Sequence, residues 1–234
     1  MIKSLLKYKT GPNFITLILF VILMGLGTWQ LYRLSWKEKL IADIDQRLHA
    51  APINFSNNLG MADQFKRAEV KGIFDLTKTV YILSKTWEGK NGYWVVSAFY
   101  PDNSNQTLWI NQGWLDINQK DQLDFSSASM PLEIEGIIRI PEKSSFFVPD
   151  NQPSKNEWYW IDINDLSHFF NINHYVPFYL ELLRPQIFEN ILPIGDKHLD
   201  TLPNHHLSYA LTWYGLALIM VFIFARYTIK NKGK

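Results

Sequence analysis

The chain has 234 residues, with 23 Lys and Arg against 22 Asp and Glu, six His and no Cys. A net charge of +1 leaves no broad basic field for nucleic acid. The absence of Cys excludes disulfides, thiolate metal sites and cysteine nucleophiles. The balanced charge is unevenly spread. Lys3, Lys7 and Lys9 precede the first acid, and Arg226, Lys230, Lys232 and Lys234 follow the last. All 22 acids lie between Glu38 and Asp200. With those seven basic residues and Arg33 set aside, 15 of the 23 remain, so the middle of the chain is acidic.

In chain order, a basic tail over 1–13 leads into Phe14–Tyr32, 19 residues without a formal charge. As a helix this run rises about 28 Å, close to the hydrocarbon thickness of a bilayer. Backbone groups in lipid must pair within their own segment, so 14–32 is expected to be a transmembrane helix. A cleaved signal peptide would share the basic start and apolar run. No small-x-small site follows, because the sequence continues Thr28-Trp29-Gln30-Leu31-Tyr32-Arg33. An uncleaved anchor is therefore expected. Only 13 residues precede it, short for an organelle transit peptide, which favours a bacterial inner membrane over a mitochondrial one. In the helical extension 33–50, Trp36, Leu40, Ile44 and Leu48 recur every four residues and predict an apolar stripe, which Pro52 closes.

From 65 to 184 the pattern turns to strands. Arg67–Phe74, Thr79–Ser84, Tyr93–Tyr100, Thr107–Trp114, Leu132–Ile140, Glu157–Ile163 and Pro177–Leu183 are short and rich in β-branched and aromatic residues. Turn-forming clusters such as Glu88–Gly92 and Pro101–Gln106 separate them. One short helix is expected at Asn164–Phe170, with Asn164 as its cap and Asp165 in its first turn. No βαβ rhythm appears, so the expected fold is α+β, with a mainly antiparallel domain forming a small barrel or curled sheet. Trp109, Trp114, Trp158, Tyr159 and Trp160 read as core or sheet packing.

The segment 185–206 is a Pro-punctuated return to a second charge-free run, Leu207–Ala225, before the basic tail 226–234. The positive-inside bias puts both termini in the cytoplasm and 33–206 outside it. Trp29, Tyr32, Trp36, Tyr209, Trp213 and Tyr227 fall near the span ends, where amphipathic aromatics prefer to sit.

Most catalytic templates are absent: no Gly-rich phosphate loop, HExxH or GxSxG occurs. The carboxylates are scattered and read as a solvated surface. The second boundary is more informative. Asn204 would cap the helix, and His206, Ala210, Trp213 and Ala217 share one face, where the alanines leave room for something flat. A histidine there could anchor the helix, or its neutral imidazole could be an axial ligand for haem iron. On the first span, Gly25, Trp29, Arg33 and Trp36 align. Gly25 would admit a close helix. Arg33 could pair with a carboxylate or snorkel to lipid phosphates.

Several motifs carry a family likeness. Gly25-Leu26-Gly27-Thr28-Trp29-Gln30 with Arg33, Trp36, Lys37 and Leu40-Ile41 is one. Val70-Lys71-Gly72 through Phe74-Asp75 and Ile110-Asn111-Gln112-Gly113-Trp114 follow. Phe147-Val148-Pro149-Asp150-Asn151 with Trp158, and Asn204 through Gly215, complete the series. In this order the chain resembles the Surf1 (surfeit locus) family of assembly factors for haem-copper cytochrome c oxidase. Gln112 stands where members often place Arg, a departure expected to alter a partner contact.

The resemblance implies a non-enzymatic role in maturing oxidase subunit I, with haem a as a transient cofactor. It points to His206 and Trp213 as the haem-binding pair, with His206 as the iron ligand; the further expectation is that Trp213 walls the macrocycle and that Arg33 or Trp29 lines its other side. Expected partners are subunit I, haem a synthase and the lipid bilayer, with no nucleic acid. The rival expectation is a membrane-anchored scaffold for oxidase subunits that does not bind haem.

Overall fold

The computed structural model describes residues 10–122, 129–142, 146–184, 188–189, 191–195 and 204–232. Lys3, Lys7, Lys9 and Lys234 of the basic tails, and much of the return segment 185–206, lie outside the described residues. The elements are helix α1 (Thr10–His49), strands β1 (Ile53–Asn54), β2 (Arg67–Trp87), β3 (Lys90–Pro101), β4 (Thr107–Asp116) and β5 (Ser129–Arg139), helix α2 (Ile163–Phe169), strand β6 (Tyr175–Leu182) and helix α3 (His206–Lys232). Contacts divide the chain into Met1–Asp43 with Leu202–Lys234, and Ile44–Thr201.

The first unit is built on α1 and α3, both long and apolar enough to cross a membrane. Gly25 and Gly27 do not interrupt α1. Arg47 and His49 in its last turn suit the negative end of the helix dipole.

The expected stripe on the helical extension is half right. Ile44 and Leu48 are buried in the second unit, but Trp36 and Leu40 are exposed. Arg33, Leu34, Lys37 and Ile41 are the half-buried positions of the extension before Ile44. Residues four apart drift by about 40° per step at 3.6 residues per turn, so a straight stripe must alternate steps of three and four.

The second unit is a six-stranded sheet in the order β1-β2-β3-β4-β6-β5, with β5 also pairing β2. It is mixed rather than mainly antiparallel: β1 runs parallel to β2, and β4 runs parallel to β6. Period-two patterning marks which face is buried and says nothing of a neighbour's direction. Here β5 and α2 intervene between β4 and β6, so the chain returns to run beside β4 in the same sense. The runs 67–74 and 79–84 form one long strand, β2, whose pairing with β3 shifts register between Asp75 and Thr79 and between Ile82 and Lys85. Its hairpin closes through Glu88 and Gly89 at φ +48° and +78°, the pair of positive angles that a two-residue turn of matching twist requires.

Glu157–Ile163 is not a strand. It makes only isolated bridges, Ile82 to Trp158 and Gln152 to Glu157, and it sends Trp158, Ile161 and Ile163 into the core. Helix α2 is capped by Asp162, not Asn164: the Asp162 carboxylate accepts from the backbone N–H of Asn164 at 2.9 Å and of Asp165 at 3.2 Å. Asn164 instead accepts from the Tyr175 hydroxyl at 3.0 Å.

The core has two main clusters. Phe74, Phe99, Leu108, Ile110, Phe178 and Leu180 build one, with the Phe74 and Phe99 rings edge-on at 4.9 Å. Trp109, Trp158, Val80, Ile82 and Leu166 build the other. The Trp109 indole N–H donates to Ser167 Oγ at 3.0 Å, so the buried donor is satisfied. Trp109, Trp158 and Trp114 are core residues, while Tyr159 and Trp160 are half-buried.

Candidate functional site

In α1, Phe20, Leu23, Gly27, Gln30 and Leu34 are covered, in steps of three and four. In α3, His206, Ala210, Trp213, Ala217, Met220 and Phe224 are covered in the same rhythm. Such spacing suits two helices packed side by side at a shallow angle. The closest approach is at Gly27, which is buried: a Cβ there would lie 2.6 Å from the Tyr214 ring. Thr28 Oγ1 and the Tyr214 hydroxyl hydrogen-bond at 3.1 Å beside it. Gly25, expected to make this approach, is exposed, and a Cβ there would meet nothing within 4 Å. Two residues along a helix rotate the face by about 200°, so only one of the two glycines can meet α3.

Toward the start of α3, His206 Nδ1 lies 2.8 Å from Gln30 Oε1. A carbonyl oxygen only accepts, so Nδ1 carries the proton and Nε2 of the neutral ring holds the lone pair. Gln30 is the site residue that the motif reading passed over. Its signal is an amide within a charge-free span, on the same stripe as Gly27.

The other expected residues are less convergent. Trp29 is 53% exposed, one position before Gln30 and so about 100° around the helix from it. The Arg33 guanidinium stacks 4.4 Å above the Trp36 ring. Trp213 is half-buried, and its Nε1 is buried without a hydrogen-bond partner among the described residues. Ala210 and Ala217 are 1% and 2% exposed, so packing fills the space expected beside them. Asn204 does not cap α3. Its Oδ1 is buried without a hydrogen-bond partner among the described residues, and the helix begins at His206 with the His205 carbonyl accepting from Tyr209 N–H at 3.2 Å.

The sheet unit holds buried polar groups that the sequence reading placed at the surface. Gln112 is 3% exposed and donates through Nε2 to Ser97 Oγ at 2.7 Å. Its position is therefore internal, not a partner contact. Glu181 is fully buried, with Arg139 Nε 3.6 Å from its carboxylate and the Tyr179 hydroxyl at 3.5 Å. Burial, reinforced by the Glu181 charge, pushes the Tyr179 hydroxyl well above the usual phenol range, so it stays protonated. Arg139 of β5 and Tyr179 and Glu181 of β6 link those two strands. Among the described residues, no three His, Asp or Glu side chains cluster to hold a metal ion.

Together these features define a class: an α+β protein in which a mixed-sheet unit falls, along the chain, between two apolar helices that suggest membrane anchoring. The family model of the SURF1 family matches residues 17–218. A SURF1-like protein of Rickettsia felis is 29% identical over 219 residues, covering 92% of this chain and 96% of its own. The human Surfeit locus protein 1 is 27% identical over 232 residues, covering 88% of this chain and 73% of its own. The mouse Surfeit locus protein 1 is 29% identical over 213 residues, at 82% and 67%. The chain belongs to the SURF1 family.

Proposed function

We propose that this chain assists haem a insertion into subunit I of haem-copper cytochrome c oxidase, holding the haem transiently through His206. The observation that carries the reading is the Gln30–His206 contact, which leaves Nε2 as the ring atom with a free lone pair. Ligating histidines usually donate their other N–H to an acceptor in this way. The buried Nε1 of Trp213, two turns along α3 and without a hydrogen-bond partner among the described residues, would offer a further donor for a polar edge of a ligand. Arg33 would supply the cation for a propionate. Trp29, exposed on the outer flank of α1, would offer an aromatic surface.

Haem a would supply the iron, and His206 would hold it through the Nε2 lone pair. In this reading the named residues would bind and orient the haem. In this reading both termini are cytoplasmic and Ile44–Thr201 stands on the other side of the membrane, where subunit I and haem a synthase would meet it. The test is the reduced-minus-oxidised spectrum of the full chain, purified in mild detergent from cells that make haem a. A haem a spectrum lost in His206→Ala is expected, and an unchanged spectrum in that variant overturns the ligand assignment.

A second reading, a scaffold for oxidase subunits without haem, is favoured by Phe146 and Phe147. They are 95% and 90% exposed on a loop of the sheet unit, as a docking residue would be. Wild-type protein that carries no haem from such cells decides for it.

A further inference from the structure

We propose that Gln30 is a positioning residue for His206, and that it selects Nε2 as the atom presented to a ligand. The inference rests on the haem-holding reading but reaches a residue on the other helix. A neutral imidazole can carry its proton on either nitrogen, and the choice follows the hydrogen bond it makes. Here the Gln30 side-chain carbonyl accepts from Nδ1 at 2.8 Å across the helix pair. One α-helical turn earlier, Gly27 lets the Tyr214 ring approach, and Thr28 bonds the Tyr214 hydroxyl. These contacts hold the two helices in register, so Gln30 meets His206 without either side chain needing to search.

In a low-dielectric span the alternatives for both groups are poor. An imidazole N–H or an amide oxygen left without a partner costs a desolvation penalty. The pair therefore satisfies each other and sets the tautomer before any ligand arrives. An acceptor on Nδ1–H also makes Nε2 a better electron donor, which favours the oxidised metal. The strength of the acceptor at residue 30 should then grade the potential of a bound haem.

The first measurement needs no haem. The chain has six histidines, so imidazole ¹⁵N spectra of the full-length protein in detergent at pH 8 are assignable, with His206→Ala identifying the signal. Nδ1 of His206 is expected to be of the protonated type and Nε2 of the lone-pair type. Gln30→Leu is expected to lose this bias and Gln30→Glu to keep it. A His206 ring protonated at Nε2 in the wild type, or a tautomer unmoved by Gln30→Leu, overturns the proposal.

The second measurement is the midpoint potential of haem a bound to wild type, Gln30→Glu and Gln30→Leu. The expected order places Glu lowest and Leu highest, which a merely structural role would not produce. Potentials out of that order overturn the positioning role. If Gln30→Leu does not fold, a lower potential in Gln30→Glu than in the wild type supports it and an unchanged one overturns it. If the wild type shows the expected tautomer but binds no haem, the haem-holding reading fails. Gln30 is then a lock between the helices, and its ligand-positioning role is overturned with that reading.

Discussion

Replacing Gly27 by Leu should open the helix pair, while the same change at Gly25 should not. A Cβ at residue 27 would lie 2.6, 2.8 and 2.9 Å from three atoms of the Tyr214 ring, closer than carbon atoms pack. The ring must move, and overpacking of this kind costs about 1–3 kcal/mol. Moving it breaks the Thr28–Tyr214 hydrogen bond, worth about 0.6 kcal/mol in a membrane setting. The gain in helix propensity from Gly to Leu, somewhat under about 1 kcal/mol, applies at both positions and cancels in the comparison. Gly27→Leu should therefore be less stable than Gly25→Leu by about 1.5–4 kcal/mol. That is roughly a tenfold to several-hundredfold shift in the equilibrium between packed and separated helices. The assay is unfolding of the full chain by increasing mole fractions of SDS in mixed micelles, followed by tryptophan fluorescence. The His206 ¹⁵N signal should lose its Gln30 signature at the same midpoint in Gly27→Leu. Equal midpoints for the two variants would refute the packing argument, because they would put the close approach elsewhere.

Two further predictions concern the sheet unit. Burial pushes the Asp75 carboxyl up, but hydrogen bonds from Lys78 and Thr77 outweigh it and hold the group below its ordinary 3.8; the Asp75 hydrogen bond holds Lys78 above 10.5. The stability Asp75 contributes is present above pH 3.8 and fades as pH falls through its depressed value, and that of Lys78 is present below pH 10.5 and fades as pH rises through its raised value. Asp75→Asn should accordingly flatten the acid limb of a plot of urea midpoint against pH, and a limb as steep as the wild type's would contradict this. At Gly113, φ is +134° and a Cβ would lie 2.1 Å from the Leu192 carbonyl oxygen, which accepts from Trp114 N–H at 2.7 Å while Leu192 N–H donates to the Trp114 carbonyl at 2.8 Å. Gly113→Ala would lose both bonds and strain the backbone, at about 2–6 kcal/mol in total. Gly89→Ala, at φ +78° with nothing within 4 Å, should cost only about 1–2 kcal/mol. Urea midpoints in that reverse order would overturn the assignment.

The elements that could be read from the sequence are those whose signal is local. The two spans follow from long runs without charge, since a single ionised side chain in lipid is costly. The strands 93–100, 107–114, 132–140 and 177–183 fall within β3, β4, β5 and β6, or overrun them by one residue, because β-branched and aromatic runs between turn clusters carry their own pattern. Glu157–Ile163 carries the same pattern and is not a strand. Its Trp158 is needed in the core, and composition cannot tell a core filler from a sheet residue.

At the candidate site, the histidine was legible because a titratable ring at the edge of a span is unusual. Its neighbour was not. Gly25 and Gly27 look alike in the motif, as do Trp29 and Gln30, and only the rotation of α1 against α3 decides which of each pair faces inward. Composition and order along the chain suffice for two helices long and apolar enough to cross a membrane, the β-rich middle and the family likeness. The tertiary structure alone decided the parallel pairing of β4 with β6, the burial of Gln112 and Glu181, and the meeting of Gln30 with His206. Each of these depends on which surfaces residues far apart in sequence present to one another, and side-chain pattern within one segment carries no record of the other's orientation.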